Sequence, residues 1–126
     1  MNEFDSVVLR LRSFQLIHAP FSEKELEMEL VKYLQKNKLR ATRQKINKNA
    51  RNDLYLEDSK IYLELKLHAD TSCTEQLDGY LTHAQDGLIL VCYTASKKLR
   101  DAFKKVDKKI QIPIALVELR KEQMIV

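Results

Sequence analysis

The sequence predicts an α/β fold, a mixed sheet with helices on both faces. Three observations predict it. A capped amphipathic helix opens at Ser22, three short strand-like runs with short links follow it, and the continuous apolar run LILVCY comes later. That last run has the composition of a central strand covered on both sides. The 126 residues suit one domain, 1–126, with residues 1–20 as an N-terminal extension.

Taken in order, residues 1–20 fit two readings. Phe4, Val7, Val8, Leu11 and Phe14 have helical spacing, whereas Val7, Leu9 and Leu11 alternate as a strand would. The helix is the favoured reading. Ser22-Glu23-Lys24-Glu25 is a capping box, with Phe21 and Leu26 placed as a hydrophobic staple across it. Leu26, Leu30, Val31, Tyr33 and Leu34 then form a helical stripe to about Asn37. Strands are expected at Arg40–Asn47, Asp53–Glu57 and Lys60–His68, and a helix at Thr74–Gln85. Leu88–Tyr93 is the central strand. Ser96 caps a helix with Leu99, Ala102, Phe103 and Val106 inside, and Ile114–Leu119 is the last strand, with Pro113 at its start. Short links make the first three strands an antiparallel meander. The 74–85 helix is long enough to cross over to a parallel fourth strand.

Composition narrows the function. Hydrophobic residues make up 44% and charged residues 32%, a soluble globular balance. No apolar run approaches the ~18 residues a membrane span needs. The first residues, MNEFDSVVLRLR, place acids where a signal peptide carries cations, so an intracellular, cytoplasmic protein is expected. Cys73 and Cys92 lack metal-ligand spacing and read as two thiols. His18, His68 and His83 are scattered and suggest no zinc site, and no phosphate-binding GxxxxGK[ST] loop occurs. Net charge is +4, and its distribution says more than its size. Between Glu29 and Asp53 there is no acid, while Lys32, Lys36, Lys38, Arg40, Arg43, Lys45, Lys48 and Arg51 all fall there. The run reads as a solvated face or as the footprint of a polyanion.

The stretch RNDLYLEDSKIYLELKL, residues 51–67, carries the chemistry. A turn at Asp58-Ser59 pairs Glu57 with Lys60, Tyr55 with Tyr62 and Asp53 with Glu64. Alternation then puts Leu54, Leu56, Ile61, Leu63, Leu65 and Leu67 on one face, and Asp53, Tyr55, Tyr62, Glu64 and Lys66 on the other. Opposed carboxylates repel at Cβ separations of roughly 4.5–5.5 Å. A divalent cation compensates such a pair, since Mg²⁺ takes one or two carboxylates plus other oxygens. Lys66 then stands ready to touch a coordinated water or a phosphate. On the 22–37 helix, Glu27 falls inside the arc of Leu26, Leu30, Val31 and Leu34, where a carboxylate is expensive unless paired or metal-bound. Glu23, one turn earlier, is the second choice. The competing reading is an ion-paired solvated face. The conjunction of opposed acids, the ExK step, an inward Glu and the basic interval favours the metal site.

At these residues the chain resembles the PD-(D/E)xK nuclease superfamily, whose restriction-endonuclease-like core is α-β-β-β-α-β with a metal site on its second and third strands. Asp53 in NDLYLE matches the motif aspartate, with Asn52 where proline often stands. Glu64 and Lys66 in YLELK match the E-x-K pair. Glu27 matches the helix glutamate of small archaeal Holliday-junction resolvases. Gln76 and Tyr80 in EQLDGYL match the Q-x-x-x-Y motif of RecB-like nucleases, either as active-site rim or as an ordinary amphipathic flank. The cluster-holding four cysteines of some RecB-like nucleases are absent. The resemblance spans residues 22–120. It implies a Mg²⁺- or Mn²⁺-dependent deoxyribonuclease with Asp53, Glu64, the Leu65 carbonyl and Glu27 at the metal. Lys38, Arg40, Arg43, Lys45, Lys48 and Arg51 would follow the DNA backbone. The short chain implies structure-selective or nonspecific action. The rivals are a noncatalytic DNA-binding module and a nuclease subunit dependent on a helicase or other DNA-processing partner. A homodimer is expected if the N-terminal segment offers an apolar face.

Overall fold

Local sequence places the helices. In the computed structural model, residues 2–43, 54–72, 87–105 and 112–120 are described. The N-terminal segment forms helix α1, Glu3–Arg12, capped by Asn2, whose side chain accepts from the Asp5 amide at 2.8 Å. Helix α2, Glu23–Lys36, starts at Ser22, whose hydroxyl accepts from the Glu25 amide at 3.1 Å. The hydroxyl cap is therefore as expected, but the staple is not. Phe21 is 87% exposed, and Pro20, one residue earlier, is the buried side chain at this entry. The third described helix, α3, is Lys97–Lys104, capped by Ser96 through the Leu99 amide.

Among the described residues five strands form one mixed sheet, in the order β1-β2-β3-β4-β5. They are β1 Ala41–Arg43, β2 Leu54–Leu56, β3 Ile61–Ala69, β4 Gly87–Ala95 and β5 Ile114–Glu118. The pairs β1–β2 and β2–β3 are antiparallel, and β3–β4 and β4–β5 are parallel. The meander and the parallel fourth strand follow the sequence reading. β1 is shorter than the Arg40–Asn47 expected, residues 44–47 lying outside the described part. The helix expected at Thr74–Gln85, and Val106, also lie outside it.

Alternation along the strands sorts two cores. On one face Leu54, Leu56, Ile61, Leu63, Leu65, Ile89, Val91 and Val117 pack under Val7, Val8 and Leu11 of α1 and Leu26, Leu30 and Leu34 of α2. On the other face Leu90 and Cys92 pack against Leu99 of α3, and Tyr62 and Leu88 against Phe103. Helices thus cover both faces, and β4 is buried from Gly87 to Cys92. The N-terminal segment is part of this core and not an appendage, because α1 lies on β5. Two hydrogen bonds tie α1 to α2. Tyr33 Oη donates to the Arg10 carbonyl at 2.6 Å, and Arg10 Nη1 donates to the Asn37 carbonyl at 3.1 Å. Cys92 carries a thiol buried in the sheet, its Sγ 3.7 Å from the Val117 carbonyl. Among the described residues no helix is long and apolar enough to cross a membrane.

Candidate active site

The β2–β3 hairpin positions the ExK pair. Its register sets Leu54 opposite Leu63, Tyr55 opposite Tyr62 and Leu56 opposite Ile61, as alternation predicted. Residues 57–60 make the turn, and the Lys60 amide closes it on the Leu56 carbonyl at 2.8 Å. Lys60 takes a left-handed conformation, φ 58°, a local cost for a side chain with a Cβ. The apolar alternation outweighs it, since a one-residue slip would turn every leucine of β3 to the wrong face.

Glu64 sits between Leu63 and Leu65, so its side chain points to the opposite face from theirs. It is only 3% exposed. Lys66, two residues on, shares its face, with Nζ 3.9 Å from Glu64 Oε1. A carboxylate so buried needs compensating charge or hydrogen bonds. Lys66 supplies charge at a distance too long for a hydrogen bond. His68 continues this face, exposed, with Nδ1 2.6 Å from Thr94 Oγ1. Asp70 follows the strand. The Ser72 hydroxyl and backbone N–H both donate to it and hold its carboxyl below the ordinary value, and the Lys66 charge adds to this.

Two acids of α2 are turned inward, as their helical bearing predicted. Glu27 is 3% exposed, and Arg43 Nε of β1 lies 2.7 Å from its Oε1, close but without hydrogen-bond alignment. Arg43 pairs in register with Leu54, so this contact belongs to the face that α2 covers. The described residues thus bring together two separate pairs, Glu64 with Lys66 and Glu27 with Arg43, on different faces of the sheet. The acid of α2 that reaches β3 is Glu23, whose Oε1 lies 3.5 Å from the Leu67 amide, next to Lys66. The helical bearing identified both acids. It did not rank them, because rank depends on how far along β3 the helix begins.

The basic interval is less free than the sequence implied. Arg40 Nη2 donates to Glu57 Oε2, which raises the Arg40 pKa above its ordinary value. Arg43 is held by Glu27, and Lys32 lies 3.7 Å from Glu29. Lys38 is exposed just beyond α2, in the left-handed region at φ 59°. Lys45, Lys48, Arg51, Asp53, Gln76 and Tyr80 lie outside the described residues. Among those described, no three His, Cys, Asp or Glu side chains converge on a point where a metal would sit.

Comparison with protein-family models, curated proteins and solved structures finds no match to this chain.

Proposed function

We propose that this protein is a divalent-metal-dependent nuclease acting on DNA, with its site on the β2–β3 hairpin. One observation carries the reading: a nearly inaccessible carboxylate, Glu64, with Lys66 on the same face two residues along. A buried carboxylate whose nearest cation is partly exposed and 3.9 Å away contributes little to stability, and an apolar residue of similar volume would do as well or better. A charged residue at this position of a leucine-rich strand fits a site that needs the charge. The reading requires Asp53 to stand opposite Glu64, one step beyond the Leu54–Leu63 pair.

The donor set is hard oxygen, which suits Mg²⁺ or Mn²⁺. Asp53, Glu64 and the Leu65 carbonyl would hold the ion; Glu27, beside Arg43 on the other face of the sheet, stands apart from them. Such an ion supplies activation of the attacking water and stabilisation of the leaving oxygen. The chain's own residues do the rest. Lys66 orients the water or offsets charge on the phosphorane. Cations of the basic interval track the backbone and weaken with salt. The contact between Glu23 and the strand beside Lys66 makes Glu23 the helix acid better placed to serve.

Labelled four-way junction, flap, duplex and single strand, incubated with Mg²⁺ or Mn²⁺, test this. Wild type should cleave in a metal-dependent way, EDTA should stop it, and Lys66→Ala should lower the rate by about 10²-fold or more. Mn²⁺ should raise the melting temperature of wild type and not of Glu64→Gln. Salt-sensitive binding with no cleavage and no metal-dependent shift would move the weight to a noncatalytic or partner-dependent module.

A further inference from the structure

Strand β5 is the outer member of the described sheet, paired with β4 on one side. Its bonds to β4 use alternate residues. The Leu88 amide donates to the Pro113 carbonyl at 3.0 Å, and the Leu119 amide donates to the Cys92 carbonyl at 2.8 Å. The odd-numbered residues of β5 therefore face β4, and the backbone N–H and C=O groups of Ile114, Leu116 and Glu118 face outward. No described strand pairs with that edge. Such a row of unpaired groups is a template for another chain, and proteins commonly blunt it with charges, proline or a bulge. β5 reads IALVE, with its one charge at the last position and its proline already behind it at Pro113.

A groove of about 570 Å³ lies at this edge, and both helical layers wall it. Ile114 and Leu116 turn to the face of α3, and Ala115 turns to the face of α1. Arg12 of α1 lines the groove from one side of the sheet, and Arg100 and Lys104 of α3 line it from the other. All three cations are exposed. The one acid in the lining is Glu118, and it is engaged within the fold. Its Oε2 accepts from the Ala95 amide at 2.6 Å, and its Oε1 lies 3.8 Å from Arg100 Nη1. These features select an occupant. Donors and acceptors spaced along a strand edge are matched by an extended polypeptide and not by a nucleic acid or a small ligand. Three cations to one acid favour acidic side chains in that polypeptide. A second copy of this chain is a poor fit. Pairing β5 with itself about a two-fold axis sets Arg100 and Lys104 against their own copies, a like-charge contact that costs affinity.

We infer that the β5 edge takes an extended acidic peptide of a partner protein as an added strand, its side chains pointing alternately towards Arg12 on one face and towards Arg100 and Lys104 on the other. Main-chain bonds to Ile114, Leu116 and Glu118 supply the affinity, and the cations select the sequence. Strand β4 separates this edge from the β3 hairpin, so the inference does not depend on the nuclease reading.

A fluorescein-labelled peptide of about eight residues, alternating glutamate and valine, tests this by fluorescence anisotropy with the full chain. It should bind, and a lysine–valine counterpart should not. The same acidic peptide N-methylated at every residue keeps its carboxylates but loses its amide donors, and should not bind. Hydrogen exchange at the amides of Ile114, Leu116 and Glu118 should slow when the unmodified peptide is added. Arg12→Ala should weaken binding by about 2- to 5-fold, and Lys104→Glu by about tenfold or more. Lys97→Ala, on α3 but outside the groove lining, should leave it unchanged. These positions are exposed, and unchanged melting temperatures would confirm that the variants fold. No binding by the acidic peptide, or equal binding by its N-methylated form, overturns the inference. A single-stranded oligonucleotide that displaces the peptide and loses affinity in Lys104→Glu also overturns it, and makes the groove a phosphate site. Dimerisation of the free chain that slows exchange at the same amides overturns it as well, and makes the edge a self-pairing surface.

Discussion

Glu27 and Arg43 show what one side chain does to another's freedom. Glu27 is buried and Arg43 is 70% exposed, so the arginine reaches in from solvent to answer the charge. Replacing Arg43 by alanine leaves a buried carboxylate without that charge. The loss should be about 1–3 kcal/mol, towards the lower end because water screens the exposed guanidinium. Glu27→Gln in the same chain should recover part of it, giving a coupling of about 0.5 kcal/mol or more in a urea-denaturation double-mutant cycle. Strict additivity would show that the contact carries no stability. The inward turn of Glu27 was legible from its bearing among Leu26, Leu30 and Leu34. Its partner was not, because helical geometry says nothing about which strand arrives opposite, and Arg43 read equally well as a surface cation. Phe21 was misread for a related reason. The staple pattern is local, but whether Phe21 or Pro20 turns inward depends on where the preceding loop is anchored.

Strand alternation was the most legible property of the chain. The leucines of 54–67 determined the faces of β2 and β3, and the observed pairing of Tyr55 with Tyr62 follows from that pattern together with a turn centred on Asp58-Ser59. LILVCY, apolar at every position, announced the strand with helices on both sides. The contact between α1 and β4 left no comparable trace. A Cβ built on Gly87 would lie 2.5 Å from Phe4 Cδ2 and 2.7 Å from Cε2. The glycine at the start of β4 thus leaves room for the Phe4 ring of α1 against the strand. Gly87→Ala must displace the half-buried Phe4 ring, and should cost about 1–3 kcal/mol by overpacking. Phe4→Ala combined with it should lose less than the two changes summed, measured by thermal and urea unfolding.

For the molecule as a whole, charge is the property most open to test. Eight cations fall between Glu29 and Asp53, but Lys32, Arg40 and Arg43 have acids of the same chain beside them. If the remaining five reach phosphates, the slope of log binding constant against log salt should be about −4.5, against about −7 for all eight. Lys36→Ala and Lys38→Ala should each reduce the slope by about 1. Arg40→Ala and Arg43→Ala should change it much less. Fluorescence anisotropy of labelled DNA across a salt series reads both numbers, and equal effects from all four variants would show that the internal ion pairs open on binding. The basic interval was plain in the sequence. Its partial neutralisation was not, since Glu57 and Glu27 become neighbours only once β1 is paired and α2 is docked.

The docking of α1 on β5 joins the first described helix to the last described strand. A ribosome adding roughly 5–20 residues per second needs about 5–20 s to go from the end of α1 to the end of β5. Throughout that time Val7, Val8 and Leu11 lack the strand they finally cover. The nascent chain thus carries a sticky helix through that interval, and early contact with α2, whose Leu26, Leu30 and Leu34 share its core, would shelter it.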